Sequence, residues 1–219
     1  MKADIVDVLI VGAGAAGMMC AIEAGRRGRS VRVLDHARAP GEKIRISGGG
    51  RCNFTNLHAT HRDFLSRNPD FSRSALARYT PADFIALVEK HGIAYHEKKL
   101  GQLFCDESAR QIVEMLADEC RRNGVQVLTQ CATDSIARTT RGFELQTQRG
   151  AFECSSLVVA CGGLSFPTMG ASDFGFRIAR QFGLEVLPLR PALVPLTLAG
   201  NELRMANEIS GVSIDCTAS

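Results

Sequence analysis

The sequence predicts an α/β fold built on a parallel sheet, and three observations support this prediction. The apolar run at residues 8–11 shows no polar alternation, which is typical of a strand buried on both faces. A glycine-rich turn and an apolar helical segment follow it directly. Residues 30–34 then have the pattern of a second strand, which ends at Asp35. This order predicts a β-α-β unit at the start of the chain.

The turn of this unit carries the G-x-G-x-x-G pattern of dinucleotide-binding sites. Gly12 allows a tight turn, Gly14 lets a pyrophosphate approach the backbone, and Gly17 lets the helix pack closely on the strand. Asp35, 23 residues after Gly12, is placed to accept the ribose hydroxyls of an adenosine. The predicted cofactor contacts of the unit are Gly12, Gly14, Ala15, Ala16, Gly17, Asp35 and His36. The alternative is a glycine-rich turn that binds nothing.

Length and composition set broad limits on the protein class. The 219 residues, of which 45% are hydrophobic, are enough for one sizeable domain and part of another. A net charge of +3, without a stretch that combines basic residues with interleaved aromatics, predicts no nucleic-acid partner. The eight cysteines form no C-x-x-C pair and lack metal-ligand spacing, which predicts reduced thiols and no metal site. The absence of a secretory leader and of a long apolar run predicts a cytoplasmic protein without a membrane span.

Residues 36–56 are predicted to be a long loop that lines the ligand groove. Three consecutive glycines, 48–50, let the backbone adopt positive φ and approach a ligand. Lys43, Arg45 and Arg51 bring positive charge to the same loop. Disorder is the alternative interpretation, but the apolar residues of the loop favour an ordered lining.

The rest of the chain shows alternating helix and strand signals. Thr80 and Ser108 are predicted N-caps of two helices, and residues 95–106 are predicted to form a two-stranded piece that turns at Gly101. Further strands are predicted at 125–128, 135–138, 143–147, 151–154 and 157–160. The three in the middle of this series form a β-meander. A last helix is predicted to begin after Gly170 and to end at Gly183, and prolines 188, 191 and 195 predict a crossing between domains.

This order of elements resembles the flavoproteins of the glutathione-reductase type, in which a β-meander crosses over a Rossmann-like sheet. Residues 41–56, with the run Ser-Gly-Gly-Gly-Arg-Cys-Asn, are similar to the signature of the BaiN/YhiN-like NAD(P)/FAD-dependent oxidoreductases. Residues 162–167 and 170–175 are similar to further parts of that signature. The resemblance extends from residue 5 to about residue 200.

The resemblance implies FAD as the cofactor, NAD(P)H as the electron donor and a small organic molecule as the substrate. It places further cofactor contacts at Lys43, Ser47, Gly49, Arg51, Cys52, Asn53, Gly162, Gly163 and Asp173. It also implies an FAD-binding domain at residues 1–190, followed by the truncated beginning of a second, substrate-side domain at 191–219. No catalytic residue and no oligomeric state are predicted.

Three alternatives remain open at this point. The same fingerprint is compatible with an NAD dehydrogenase that uses one cofactor. The chain is also compatible with a non-catalytic FAD-binding fragment. Finally, Arg51 beside Cys52 would lower the pKa of that thiol and give it a catalytic role, although contact with the cofactor or simple packing is the favoured interpretation.

Overall fold

The computed structural model describes residues 4–165, 170–190 and 197–209. The chain divides into two compact units, Met1–Leu184 and Glu185–Ser219. The first unit contains both sheets and six of the described helices, and the second contains the helix α7, Gly200–Glu208. The predicted α/β fold is confirmed in the first unit. The predicted domain boundary at residue 190 stays a prediction, and Pro191 and Pro195 lie outside the described residues.

The main sheet of the first unit has six strands in the order β6-β2-β1-β9-β8-β7. The strands β6, β2, β1 and β9 are parallel to one another, whereas β8 and β7 run antiparallel at one edge. Their bounds are β1 Asp4–Val11, β2 Val31–Leu34, β6 Gln126–Leu128, β7 Thr133–Thr139, β8 Gly142–Thr147 and β9 Gly150–Val159. The predicted β-meander is therefore present as the antiparallel edge of the parallel sheet.

Helices cover both faces of this sheet. On one face α1, Ala15–Arg26, and α5, Ala109–Arg122, pack over a core that includes Ile10, Ile22 and Leu116. On the other face α6, Phe174–Gln181, inserts Ile178 into a second core that includes Leu9, Leu145 and Phe152. Leu9 and Ile10 are fully buried on opposite sides, which explains why the first strand shows no polar alternation.

A smaller antiparallel sheet, in the order β3-β5-β4, lies in the same unit. Its strands are β3 Asn53–Asn56, β4 Tyr95–Glu97 and β5 Gln102–Cys105. Two helices, α3 Arg73–Arg78 and α4 Pro81–Lys90, lie between β3 and β4 in the sequence. Phe54 of β3 packs edge-on against Tyr95 and tilted against Phe84 of α4, with ring centroids 5.5 and 6.0 Å apart. This contact joins α4 to the small sheet.

The helix starts at Thr80 and Ser108 are confirmed. The Thr80 side chain accepts a hydrogen bond from the Asp83 amide at 3.3 Å, and the Asp83 carboxylate accepts one from the Thr80 amide at 2.7 Å. Ser108 and Gln111 form the corresponding pair at the start of α5. Reciprocal capping of this kind satisfies amides that the first helical turn leaves unpaired.

Two predictions about local structure are wrong. Residues 36–56 are not a continuous loop, because they contain a helix, α2 Glu42–Gly50, and the strand β3. The regular part of α2 ends before Ser47, whose ψ is 146°. In addition, the strands predicted at 151–154 and 157–160 form the single strand β9, because it pairs with β8 on one side and with β1 on the other.

The buried carboxylate of Glu119 in α5 forms ion pairs that join three helices. Its carboxylate lies 2.9 Å from Arg26 Nη2 of α1 and 2.9 Å from Lys90 Nζ at the end of α4. His91 Nε2 lies 2.9 Å from the same carboxylate. The Glu119 side chain is 3% exposed, and hydrogen bonds from His91, Lys90 and Arg26 outweigh its burial and lower its pKa from 4.5 to about 2.

Among the residues that the structure describes, no helix is both long and apolar enough to cross a bilayer.

Candidate dinucleotide-binding site

The turn between β1 and α1 leaves no room for side chains at two of its three fingerprint glycines. Gly12 has a φ of +110°, and a Cβ atom there would overlap the Ala160 carbonyl. A Cβ atom on Gly17 would overlap the Gly12 carbonyl oxygen. Gly14, in contrast, has no heavy atom within 4 Å of the position of a Cβ. The open space at Gly14 is the feature that a bound pyrophosphate requires.

The N-terminus of α1 is open to a ligand. Gly14 is its N-cap, without a side chain to cap the helix, and the first turn contains no acidic residue. Ala15 and Ala16 of α1 are exposed, whereas Gly17 and Met18 of the same helix are buried. The first turn of an α-helix carries unpaired amides and the positive end of the helix dipole, so this position favours a phosphate group.

Asp35 follows β2 and is hydrogen-bonded to the glycine-rich turn. Its Oδ2 accepts from the Ala13 amide at 2.6 Å, and its Oδ1 accepts from the Ala37 amide at 2.8 Å. A carboxylate offers about four acceptor positions, so about two remain for the two hydroxyls of a ribose. His36, which is exposed, has its Nδ1 3.5 Å from Asp35 Oδ1. A Cβ atom on Gly170 would lie 2.5 Å from His36 Nε2, so residue 170 lies beside this pair.

The start of α2 and the segment after β9 meet next to the same turn. The Gly41 amide donates to the Ala13 carbonyl at 2.9 Å, which ties α2 to the β1–α1 turn. Lys43 Nζ donates to Ser165 Oγ at 2.6 Å. A Cβ atom on Gly162 would lie 3.2 Å from the same Nζ. Lys43 is exposed, so its ammonium group is available to a ligand that carries negative charge.

The glycine run at the end of α2 is a tight loop without helical geometry at Gly48 and Gly49. Gly48, Gly49 and Gly50 all have positive φ, between 58° and 85°. A Cβ atom on Gly48 would lie 2.7 Å from the Phe104 ring, whereas Gly49 has open space around it. The Ser47 hydroxyl donates to the Ile44 carbonyl at 2.8 Å and helps to end the helix. The Phe104 ring therefore leaves no room for a side chain at Gly48, whereas Gly49 presents a bare backbone.

The cofactor contacts predicted at residues 51–53, directly after the glycine run, differ in their exposure to solvent. Arg51 and Asn53 are exposed, whereas Cys52 is 5% exposed and has a φ of 51°. Burial raises the pKa of the Cys52 thiol, although the Ser47 hydroxyl opposes this change. The expectation that Arg51 lowers this pKa is therefore wrong, because loss of water around the thiol dominates. The position of Cys52 favours packing over a catalytic role.

Gly163 and Asp173 lie near the start of α6. A Cβ atom on Gly163 would lie 3.7 Å from the Phe176 ring. Asp173 is the exposed N-cap residue of α6, and its Oδ1 lies 3.0 Å from Arg177 Nε. The structure thus gives Asp173 a local partner, Arg177, four residues later on the same helix.

The structure adds two site residues that sequence reasoning missed. Ser165 holds the Lys43 ammonium group, and Gly41 ties α2 to the turn. The separation of 122 residues between Lys43 and Ser165 explains why no local pattern indicates this contact. Within the described ranges, no group of three or more His, Cys, Asp and Glu side chains could hold a metal ion.

Comparison with known proteins identifies relatives of the whole chain. The model of the HI0933-like protein Rossmann domain matches residues 6–217. A ribosomal RNA dihydrouridine synthase of Escherichia coli K12 is 53% identical over 208 residues, which cover 95% of this chain and 52% of that protein. A protein with the same name from Haemophilus influenzae is 48% identical, covering 95% of this chain and 53% of its own length. The chain therefore spans about half the length of these relatives.

A more distant relative and two solved structures extend the comparison. The 3-dehydro-bile acid delta(4,6)-reductase of Clostridium scindens is 28% identical over 85% of this chain and 46% of that protein. Glycine oxidase from Geobacillus kaustophilus superimposes with a TM-score of 0.56 at 16% identity, covering 83% of this chain and 59% of its own. L-proline dehydrogenase from P. horikoshii gives a TM-score of 0.51 at 10% identity, covering 74% and 54%.

The two solved structures are less than 25% identical to this chain and support its fold alone. The family model covers nearly the whole sequence, and the E. coli relative is identical at more than half of the aligned positions. This chain belongs to the family of HI0933-like proteins and contains their Rossmann domain.

Proposed function

We propose that this chain is the FAD-binding part of a flavin-dependent reductase that takes its electrons from NAD(P)H. The observation that carries the proposal is the β1–α1 turn, where open helix amides lie beside the Asp35 carboxylate. Diphosphate and ribose are the two groups that this arrangement fits. When bound, FAD supplies the two-electron chemistry, and the protein supplies position and electrostatics.

The residues around the turn have distinct roles in this proposal. The amides of Ala15 and Ala16 bind the diphosphate, and Asp35 accepts the ribose hydroxyls. Lys43, held by Ser165, places a positive charge at the groove. Gly49 lets the backbone approach the flavin side of the cofactor, where Ser47, Arg51 and Asn53 are also proposed to lie.

The names of the relatives point to one reaction class. Formation of dihydrouridine adds two hydrogens across the C5–C6 double bond of uracil, which is conjugated to the C4 carbonyl. In a 3-dehydro-bile acid, delta-4 and delta-6 double bonds are conjugated to the C3 carbonyl. Both reactions deliver a hydride and a proton to a carbon–carbon double bond conjugated to a carbonyl group. We therefore propose this double-bond reduction as the reaction of the whole protein.

Sequence identity favours uridine in ribosomal RNA as the substrate. The two proteins named for this substrate are 53% and 48% identical to the chain, whereas the bile acid reductase is 28% identical. This proposal departs from the sequence-based expectation of a small organic substrate without nucleic acid. Reduction of a small enone is the second candidate, supported by the more distant relative.

The test begins with the cofactor. The full-length protein and the 219-residue chain are purified, and their absorbance spectra are measured before and after incubation with FAD. Visible flavin bands, bleached by NADH or NADPH under anaerobic conditions, are the expected result. A protein that takes up no FAD contradicts the proposal. FAD uptake by the short chain without bleaching by either donor would identify it as a non-catalytic binding fragment.

The substrate is tested separately. Unmodified ribosomal RNA, transcribed in vitro, is incubated with the full-length protein, FAD and NADPH, and dihydrouridine is measured by mass spectrometry of the nucleosides. A steroid enone is assayed in parallel. Dihydrouridine formation supports the ribosomal RNA proposal, whereas turnover of the enone alone supports the second candidate.

A further inference from the structure

The segment from Arg62 to Phe71 lies almost free of the folded core. Every residue in this range is exposed to solvent. Its backbone contains one turn of 3-10 helix, His61–Asp63, and otherwise only turns and bends. Because the segment buries no side chain, packing does not explain its composition.

The exposed side chains of this segment include large apolar groups. Leu65 is 95% exposed and Phe71 is 83% exposed, and Phe64 is also exposed. Single exposed apolar residues are ordinary, but three within eight positions on a segment without a core role indicate a contact surface. The prediction that no stretch combines basic residues with interleaved aromatics is wrong here, because this segment interleaves aromatic residues with arginines.

The segment carries two arginines and two aspartates, so its formal net charge is zero, and only its arginines favour a polyanion as partner. Asp63 is held by the backbone and side chain of Thr60, and Asp70 lies 3.5 Å from Arg73. Arg62 and Arg67 have no ion-pair partner in the described part of the chain. Two guanidinium groups therefore remain available beside the exposed aromatic rings.

The position of the segment connects it to the proposed cofactor groove. It follows β3 after five intervening residues, and β3 follows the Gly48–Arg51 loop after Cys52. The four residues of β3 span about 13 Å, so the chain links the loop to the segment through this strand and residues 57–61. The Leu57 amide donates to the Gly101 carbonyl at 2.8 Å, which ties the residues between β3 and the segment to the β4–β5 turn.

From these observations, and resting on the proposed function, we infer that residues 62–71 contact the RNA strand that carries the target uridine. A base stacked in a helix hides both faces of its ring, so the uridine must leave the stack before its C5–C6 bond is reduced. Aromatic side chains and arginines hold unstacked bases and the neighbouring phosphates. Phe64 and Phe71 are the stacking residues in this proposal, and Arg62 and Arg67 are the phosphate contacts.

The experiment measures binding of the full-length protein to unmodified ribosomal RNA by filter binding across a series of KCl concentrations. The test variant is Arg62→Gln with Arg67→Gln. The matched control is Arg27→Gln with Arg141→Gln, which removes the same charge from exposed positions outside the segment. A third variant, Phe71→Ala, removes one ring without changing the charge.

Loss of two phosphate contacts is expected to reduce the slope of log K against log salt by about 1.5, while the control keeps the wild-type slope. Phe71→Ala is expected to weaken binding by about 5-fold or more with an unchanged slope, because stacking is insensitive to salt. All variants are expected to retain wild-type FAD content and bleaching by NADPH, since none of these residues belongs to the cofactor site.

The outcomes separate this inference from the proposed function. If wild-type protein neither binds ribosomal RNA nor forms dihydrouridine, the proposed function fails, and the inference fails with it. If wild-type protein forms dihydrouridine but the Arg62/Arg67 variant binds like the control, only the inference is overturned. If the variants lose stability or FAD without a change in salt slope, the segment packs against another part of the protein, and the inference is again overturned.

Discussion

Replacement of Gly17 by alanine tests the geometry of the β1–α1 turn. Alanine inside a helix normally stabilises it by up to about 1 kcal/mol relative to glycine. Here the structure reverses the expected sign, because the new Cβ atom would overlap the Gly12 carbonyl oxygen. It would also lie 3.4 Å from Ile10 Cγ2, so the helix can relieve the overlap only by moving away from β1. Overpacking of this kind costs about 1–3 kcal/mol, and valine in place of alanine should cost more.

The matched control is Gly14→Ala in the same turn. Gly14 has a φ of −79° and a ψ of −175°, which alanine adopts without strain, and no heavy atom lies within 4 Å of its Cβ position. Loss of a glycine N-cap costs about 0.5–1 kcal/mol at most. The open space is, however, the proposed position of the diphosphate. Gly14→Ala should therefore retain most of its stability and lose FAD affinity.

Both variants are measured by urea unfolding without FAD, followed by far-UV circular dichroism because the chain contains no tryptophan. With a slope of about 2 kcal/mol per M urea, Gly17→Ala should lower the midpoint by about 0.5–1.5 M. FAD affinity is then measured by flavin fluorescence. A Gly17→Ala protein as stable as wild type would refute the placement of this helix, and full FAD affinity in Gly14→Ala would refute the placement of the diphosphate.

Three further predictions concern ionisable groups. Because the folded-state pKa of Glu119 is lowered to about 2, its stabilisation is present above pH 4.5 and is lost as the pH falls towards 2. Arg26 and Lys90 are about half exposed, so we expect Glu119→Gln to cost only about 1–2 kcal/mol at pH 7 and nothing near pH 2, measured by urea unfolding at both pH values. Asp35→Ala should weaken FAD binding about 10–100-fold and also destabilise the apoprotein, whereas Asp35→Asn, which keeps one acceptor, should lose less of each in the same titrations. Burial raises the pKa of Cys105 and Cys120 to about 11, so both thiols should resist Ellman's reagent at pH 8 until the protein is unfolded in urea.

Elements with local signals were predictable from the sequence. The helix that starts at Thr80 combines a capping side chain, a proline at the first position and an acid at the third, and all three act within four residues. The β1–α1–β2 unit is similarly local, because its glycines and apolar runs follow one another directly. Each of these features determines backbone geometry through neighbours in the sequence, so no knowledge of distant partners is needed.

The elements whose predicted bounds are wrong depend on partners that are distant in the sequence. The strand β3 is polar and short, and it forms only because it pairs with β5, which lies 46 or more residues later in the sequence. Because α2 ends in three glycines, the sequence pattern did not indicate the helical residues that precede them. Ser155 and Ser156 interrupt the apolar pattern of β9, but the strand continues past them because Ser156 pairs with Val8 of β1. Tertiary pairing outweighs local propensity at these positions.

The location of the candidate site follows from strand register. Val11 of β1 pairs with Leu34 of β2 on one side and with Val159 of β9 on the other. The three strands therefore end at the same level, and the residues that follow them must meet there. These residues are the glycine-rich turn, Asp35 and the segment that leads to Gly162. Because β2 and β9 lie on opposite sides of β1, the connections diverge at this edge, which is where parallel α/β sheets bind their ligands. The candidate residues are thus brought together by the topology of the sheet, although they are separated by more than 100 residues of sequence.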